Sequence, residues 1–218
     1  LARWLPQSMY YAWAAQQLKT APYFVVPSGN FGNLAAGIFA RRRGIKISGF
    51  LAATNRNDTF HSYLKTGHFE AKPSVLTPSN AMDVGDPSNR PRVEALFADD
   101  FERMKGSLSS DSVGDQETID AMREVYEKHG YILCPHTAVG YVALKRSRSD
   151  QIPKVLLSTA HPAKFSSIVA SAIGVMPKRP PSLERLTDQR EKVCTSIPAN
   201  VSRFPARARC SCAPGRPT

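Results

Sequence analysis

An apolar run, Tyr23-Phe24-Val25-Val26, stops at Pro27 and passes through Ser28-Gly29-Asn30-Phe31-Gly32-Asn33 into Leu34-Ala35-Ala36-Gly37-Ile38-Phe39-Ala40-Arg41. The run has the length of a buried strand, and the segment after the loop has the composition of a helix. A strand that feeds a helix through a glycine loop leaves few architectures open, because the helix must return across a sheet face. Gly44 stops that helix, and Ile45-Lys46-Ile47-Ser48-Gly49-Phe50-Leu51-Ala52-Ala53 reads as a second strand, broken at Thr54-Asn55. The unit is β-α-β, so its strands should be parallel with a right-handed crossover. Ligands of such sheets gather at strand carboxyl ends, where Ser28-Gly29-Asn30 and Thr54-Asn55 both lie. Gly29 and Gly32 let successive N–H groups converge on one oxyanion, and the helix adds its unpaired first-turn N–H groups. The loop reads as a phosphate cradle.

The remaining chain repeats this grammar. Pro6 to Leu18 predicts a helix with Met9, Trp13 and Leu18 near one face, widened by Tyr10 and Tyr11. Residues 58 to 85 lack periodicity, and Thr77 to Asp83, dense in small polar side chains, reads as a loop. A short helix is expected from Glu94 to Met104. Another should be N-capped by Asp115, striped by Ile119, Met122 and Tyr126, and closed by Gly130. His136 to Leu144 reads as a further helix. Pro153 to Ser158 is a short apolar strand with Thr159-Ala160-His161-Pro162-Ala163-Lys164-Phe165 at its carboxyl end, followed by a helix to Ala172. On residue pattern alone, Thr159 reads as a helix N-cap.

Charge and composition narrow the function classes. The formal charge is +11, but Arg203, Arg207, Arg209 and Arg216 fall in the last stretch, which carries no acid. The one dense basic run in the body, Arg41-Arg42-Arg43, suits a helix C-terminus and has no interleaved aromatics for stacking bases, so no nucleic-acid partner is expected. No apolar run reaches about 18 residues, so no membrane span is expected. Cys134, Cys194, Cys210 and Cys212 make neither a disulfide framework nor zinc spacing, which with the lack of a signal segment favours a cytoplasmic protein. His61, His68 and Glu70 are too sparse for a metal site.

Several blocks, in order, carry a resemblance. They are Pro27 to Asn33 with Ala36-Gly37, then Ala52-Ala53-Thr54-Asn55-x-Asn57-Asp58 and Pro78-Ser79-Asn80-Ala81-Met82-Asp83. Pro91-Arg92, Pro135-His136-Thr137-Ala138 and Thr159 to Phe165 follow. Together they resemble the threonine synthases, from about residue 1 to about residue 175. The resemblance implies an α/β, three-layer αβα chain of the tryptophan synthase β-like fold, pyridoxal-phosphate fold type II, present in part. It implies conversion of O-phospho-L-homoserine and water to L-threonine and phosphate. Pyridoxal 5′-phosphate would lie with its phosphate on Ser28, Gly29, Asn30, Phe31, Gly32 and Asn33 and its ring nitrogen at the Thr159 hydroxyl. Asn80, Ser79 and Asp83 are the substrate-binding candidates, and Arg92 is a further guess.

The resemblance also shapes expectations about what this chain contains. Residues 1–176 would be the C-terminal part of the catalytic domain, and 177–218 a Pro/Arg/Cys-rich tail that leaves the family pattern from about residue 197. The start at Leu1-Ala2-Arg3-Trp4 reads as the interior of a longer segment. The Schiff-base lysine is expected upstream of this chain, with no catalytic residue here and no such role for Lys164, so that the chain alone would be inactive. Two alternatives stay open on sequence: a threonine synthase-like phospholyase, and a non-catalytic basic module that binds phosphate-rich polymers.

Overall fold

The computed structural model describes residues 3–147 and 152–181. Most of the expected tail, from 182 on, and its break near 197 lie outside the described residues. The first compact unit of the chain spans Leu1–Arg179. It is built on a four-stranded sheet of β1 (Tyr23–Pro27), β2 (Gly49–Thr54), β3 (Leu108–Ser112) and β4 (Lys154–Leu156), in the order β3-β2-β1-β4. Every pairing is parallel.

The register shows why the strands read as continuous apolar runs. Tyr23 pairs with Gly49 and Pro27 with Ala53, and all six residues of β2 are buried. Side chains alternate across the sheet. Phe24, Val26, Phe50 and Ala52 enter one core, with Leu34, Ala36 and Ile38 of α2 (Gly32–Arg42) and Tyr11 of α1 (Trp4–Leu18). Val25, Leu51 and Ala53 face the other way, toward Val139 and Ala143 of α7 (Pro135–Arg146). Helices therefore cover both faces, as a fully parallel sheet requires. Each fully buried Phe or Val contributes about 1.5–3 kcal/mol, so the two inner strands dominate the stability of this layer.

Elsewhere the chain departs from its sequence pattern in physically readable ways. The second strand starts at Gly49 rather than Ile45. The span expected as one helix from Glu94 to Met104 is two, α4 (Arg90–Leu96) and α5 (Phe101–Ser107), parted where Ala98 and Asp99 take positive φ. Between β2 and these helices lies α3 (Thr59–Thr66). The helix α6 (Asp115–His129) is N-capped by Gly114, one residue before Asp115, and closes at Gly130 with φ 63°. After β4 come a 3-10 turn, Pro162–Phe165, and α8 (Ser166–Ile173). Arg41 and Arg42 sit in the last turn of α2, and Arg42 Nη1 donates to the Leu96 carbonyl at 2.6 Å.

Gly37 lets α2 approach the sheet and α1 closely. A Cβ there would stand 2.7 Å from ring carbons of both Phe50 and Tyr11. Overpacking of this kind costs about 1–3 kcal/mol, more than the roughly 1 kcal/mol that alanine gains over glycine in a helix. Gly37→Ala is therefore expected to lower the thermal or urea midpoint. A raised midpoint would show that α1 and α2 are looser than described.

Candidate functional site

Parallel strands bring three loops to one end of the sheet: residues 28–33 after β1, 55–57 after β2 and 157–160 after β4. A cavity of about 740 Å³ opens there. Its lining includes the whole loop from Ser28 to Asn33, together with Tyr10, Met82, His136, Thr159 and Lys164. Among the lining residues there is no carboxylate, and Lys164 carries the one permanent charge. The surroundings favour an anion.

The loop is built to present its backbone. Ser28 N–H donates to the Ala53 carbonyl at 2.8 Å, and its hydroxyl donates to the Val26 carbonyl at 2.8 Å, so the side chain finishes the strand. Phe31 then takes φ 58°, ψ 10°, and α2 begins at the next residue. A non-glycine residue in that region costs about 1–2 kcal/mol. The Phe31 ring offsets this: it is buried, and its centroid lies 4.3 Å from that of Phe60. Burial and ring stacking are together worth more than the strain. Through the turn, the N–H groups from Gly29 to Leu34 donate to no acceptor among the described residues, and the first helical bond here is Ala35 N–H to the Phe31 carbonyl at 2.9 Å. A row of unpaired N–H groups at a left-handed turn and a helix start is an anion nest.

Gly29 has a second task. A Cβ on it would fall 2.5 Å from Met82 Cα, so the 3-10 turn Asn80–Met82 rests directly on the loop. That turn is held from behind by a buried polar network. Asn55 Nδ2 donates to Thr77 Oγ1 at 2.8 Å, Ser79 Oγ at 3.0 Å and Asp83 Oδ1 at 2.8 Å. Asn57 Nδ2 donates to Asp83 Oδ1 at 3.1 Å, and Thr77 N–H to Asp83 Oδ2 at 3.0 Å. Ser79 and Asp83 thus face the network. Asn80 is exposed, and none of the three lines the cavity, whereas Ala81 and Met82 do. Arg92 is likewise away from it, donating to the Ser88 carbonyl and to Asn89 Oδ1.

Thr159 lies on the cavity wall, exposed, with its hydroxyl bonded to no group among the described residues. The N-cap reading of this threonine does not hold: His161 caps the 3-10 turn, its Nδ1 accepting from Ala163 N–H at 3.2 Å. Asn30 is anchored at the rim, its Oδ1 accepting from Ser88 Oγ and its carbonyl from Asn89 Nδ2. Sequence reasoning gave the tyrosines of α1 and His136 no part in the site. His136 Nε2 accepts from Ala81 N–H at 3.2 Å, which places its proton on Nδ1, a buried atom without a partner among the described residues. Burial holds the ring neutral by lowering its pKa, against a smaller opposing pull from Asp83. Only the tertiary meeting of α7 with the Asn80–Met82 turn reveals this histidine.

The geometry fits a phosphate monoester, and comparison with known proteins gives it a family. The chain belongs to the pyridoxal-phosphate dependent enzymes, whose family model matches residues 7–159. Within that family its similarity is to threonine synthases, and a model described as "Threonine synthase, C-terminal" matches residues 137–205. The chain is 41% identical to threonine synthase of Haemophilus influenzae over 189 residues, 85% of this chain and 44% of the relative. It superposes on the crystal structure of threonine synthase from Escherichia coli with TM-score 0.79 at 40% identity, covering 85% of this chain and 44% of that one. For the pyridoxal-phosphate-bound threonine synthase from Brucella melitensis the TM-score is 0.80 at 33% identity, with 88% and 47% covered. The architecture is part of pyridoxal-phosphate fold type II. The chain spans about half the length of the curated relatives it matches.

Two outcomes follow from this packing. Gly29→Ala is expected to displace the Asn80–Met82 turn and cost about 1–3 kcal/mol, read as a lower urea midpoint; an unchanged midpoint would separate Gly29 from Met82. His136 contributes stability that is complete above its ordinary pKa of 6.5 and declines as pH falls below it, because the unfolded chain takes up the proton first. His61, also lowered by burial, acts in the same direction. Urea midpoints measured from about pH 8 to about pH 5 should therefore fall, and His136→Gln should flatten part of that slope.

Proposed function

We propose that this chain supplies the phosphate-holding and ring-nitrogen-facing wall of a pyridoxal-phosphate-dependent threonine synthase, which converts O-phospho-L-homoserine and water to L-threonine and phosphate. The observation that carries the reading is the row of N–H groups from Gly29 to Leu34, unpaired among the described residues and set in a cavity that none of their carboxylates lines. A bound phosphate monoester would accept from this backbone and from the positive end of α2. The same residues would exclude a nucleotide of the Walker type, since no Lys-Ser/Thr pair follows Gly32.

Pyridoxal phosphate, when bound, supplies an electron sink for carbanion chemistry at the substrate α-carbon. The residues here hold and orient. Thr159 offers a neutral hydroxyl to the ring nitrogen, and a neutral partner does not enforce protonation of that nitrogen as a carboxylate would. Asn80, Ser79 and Asp83 belong to the proposed substrate side of the site. On the observed contacts, Ser79 and Asp83 would act by fixing the turn that carries Ala81 and Met82 to the cavity. Lys164 lines the cavity, is exposed and shows no hydrogen-bond partner among the described residues. We assign it no covalent role.

The test begins with binding. Pyridoxal phosphate added to the 218-residue chain should bind in competition with inorganic phosphate, followed by cofactor absorbance. Thr159→Val should weaken cofactor binding by about threefold to tenfold, the loss of one neutral hydrogen bond, and leave phosphate affinity unchanged. Equal cofactor affinity would remove Thr159 from the site. Borohydride reduction followed by peptide mapping should leave Lys164 unlabelled; stoichiometric labelling there would overturn the division of roles. In a protein that carries this chain and turns over O-phosphohomoserine, threonine should appear in step with phosphate. A 2-oxo acid product would point to a phospholyase instead.

A further inference from the structure

The anion cradle has one side-chain amide whose orientation is decided from outside the loop. Tyr11 Oη donates to Asn33 Oδ1 at 2.9 Å and to the Asn33 carbonyl at 3.0 Å, and Tyr10 Oη donates to the same Oδ1. A carboxamide oxygen has two lone pairs, and here both face phenols. The amide nitrogen is therefore turned away from α1. Asn33 lines the cavity, its Nδ2 donates to no group among the described residues, and that atom is not among the buried polar atoms left without partners. It is accessible at the wall of the cavity that the loop from Ser28 to Asn33 also lines.

The alternative orientation would be harmful. An amide turned by 180° would aim its oxygen at the anion and repel it, so a freely rotating Asn33 would present the wrong pole part of the time. In this structure both phenols donate to Oδ1, which holds the amide in the favourable orientation. Tyr11 is fully buried, packed edge-on against Phe24 with centroids 4.7 Å apart and against Phe50 at 6.1 Å, and Tyr10 lies tilted on it at 5.0 Å. Burial pushes the Tyr10 phenol up to about 12 and raises Tyr11 well above its ordinary value, so both keep the proton they donate at neutral pH. The arrangement spans two elements, with the donors on α1 and the amide in the first turn of α2.

We propose that Tyr10 and Tyr11 are positioning residues that lock the Asn33 carboxamide with its Nδ2 toward the cavity. A phosphate monoester in the cradle then receives a side-chain donor in addition to the backbone N–H groups. The assignment rests on reading the cradle as a phosphate site. It makes α1, which contributes nothing to the loop's own sequence, the element that sets the polarity of one of the loop's donors.

The test uses the 218-residue chain with inorganic phosphate and with pyridoxal phosphate as probes, followed by phosphorus NMR and by cofactor absorbance. Asn33→Asp keeps an acceptor for both phenols and replaces the donor with a carboxylate oxygen. It should weaken both probes by about tenfold to hundredfold. The double variant Tyr10→Phe with Tyr11→Phe keeps both rings and removes both hydroxyls. It should weaken both probes about fivefold, and the Asn33 side-chain nitrogen resonances, resolved in the parent chain and shifted by phosphate, should broaden. Binding by the parent chain with undiminished affinity in both variants would overturn this proposal and leave the cradle standing. Weakening in the tyrosine variant alone, with Asn33→Asp unaffected, would also overturn it, because the tyrosines would then act through packing. An Asn33 side-chain resonance that phosphate saturation does not move would count equally against it, independent of any variant. Failure of the parent chain to bind either probe would remove the cradle itself, and this proposal with it.

Discussion

The left-handed turn at Phe31 is the constraint on which the rest of the site depends. One residue converts the direction of β1 into that of α2, and in doing so leaves consecutive N–H groups without partners among the described residues. The conformation is unfavourable for a side chain with a Cβ, and it persists because the ring is anchored on Phe60. Phe60 belongs to α3, which follows β2. The turn is therefore not a local property of its own six residues. It requires β2 to lie beside β1, so the parallel pairing of the sheet and the anion nest stand or fall together.

The opposite wall of the cavity is held by a polar network as well as by the burial of Met82 among Val25, Leu51 and Val139. Asn55, Asn57, Thr77, Ser79 and Asp83 form a network out of reach of solvent in its interior, and the hydrogen bonds converge on the Asp83 carboxylate. Such a network is costly when partly satisfied and rigid when complete. Here it fixes a loop that has no regular structure of its own except one 3-10 turn, and seats Met82 against Gly29. Rigidity on this side matters because the donors on the other side are backbone groups, whose geometry cannot adjust by rotamer. Asn33 is the exception among them, and α1 supplies its restraint.

Legibility in the sequence followed burial. The strands Tyr23–Pro27 and Gly49–Thr54 were readable because both faces are covered, which demands unbroken apolar runs. The strand Leu108-Ser109-Ser110-Asp111-Ser112 was not, because it lies at the sheet edge and carries polar residues that no strand pattern selects. Ile45 to Ser48 looked like strand on composition, yet the paired register begins only at Gly49, opposite Tyr23. The break between α4 and α5 rests on positive φ at Ala98 and Asp99, residues that give no local warning of it. Thr159 shows the reverse case: its local pattern suggests a cap, and the neighbouring His161 takes that task, leaving the hydroxyl to the cavity.

By itself the sequence determined the parallel β-α-β frame, the glycine loop at the carboxyl end of its first strand, and the ordered blocks that place the chain among pyridoxal-phosphate dependent enzymes. These are local: they depend on runs, glycines and short motifs whose meaning survives without knowledge of distant partners. Tertiary structure alone decided which polar side chains line the cavity and which turn into the protein. Ser79 and Asp83 turned inward because Asn55 and Asn57 meet them there, and Asn33 turned outward because Tyr10 and Tyr11, more than twenty residues earlier, occupy its oxygen. A hydrogen bond has a direction as well as a composition, and direction is set by whatever the fold brings alongside.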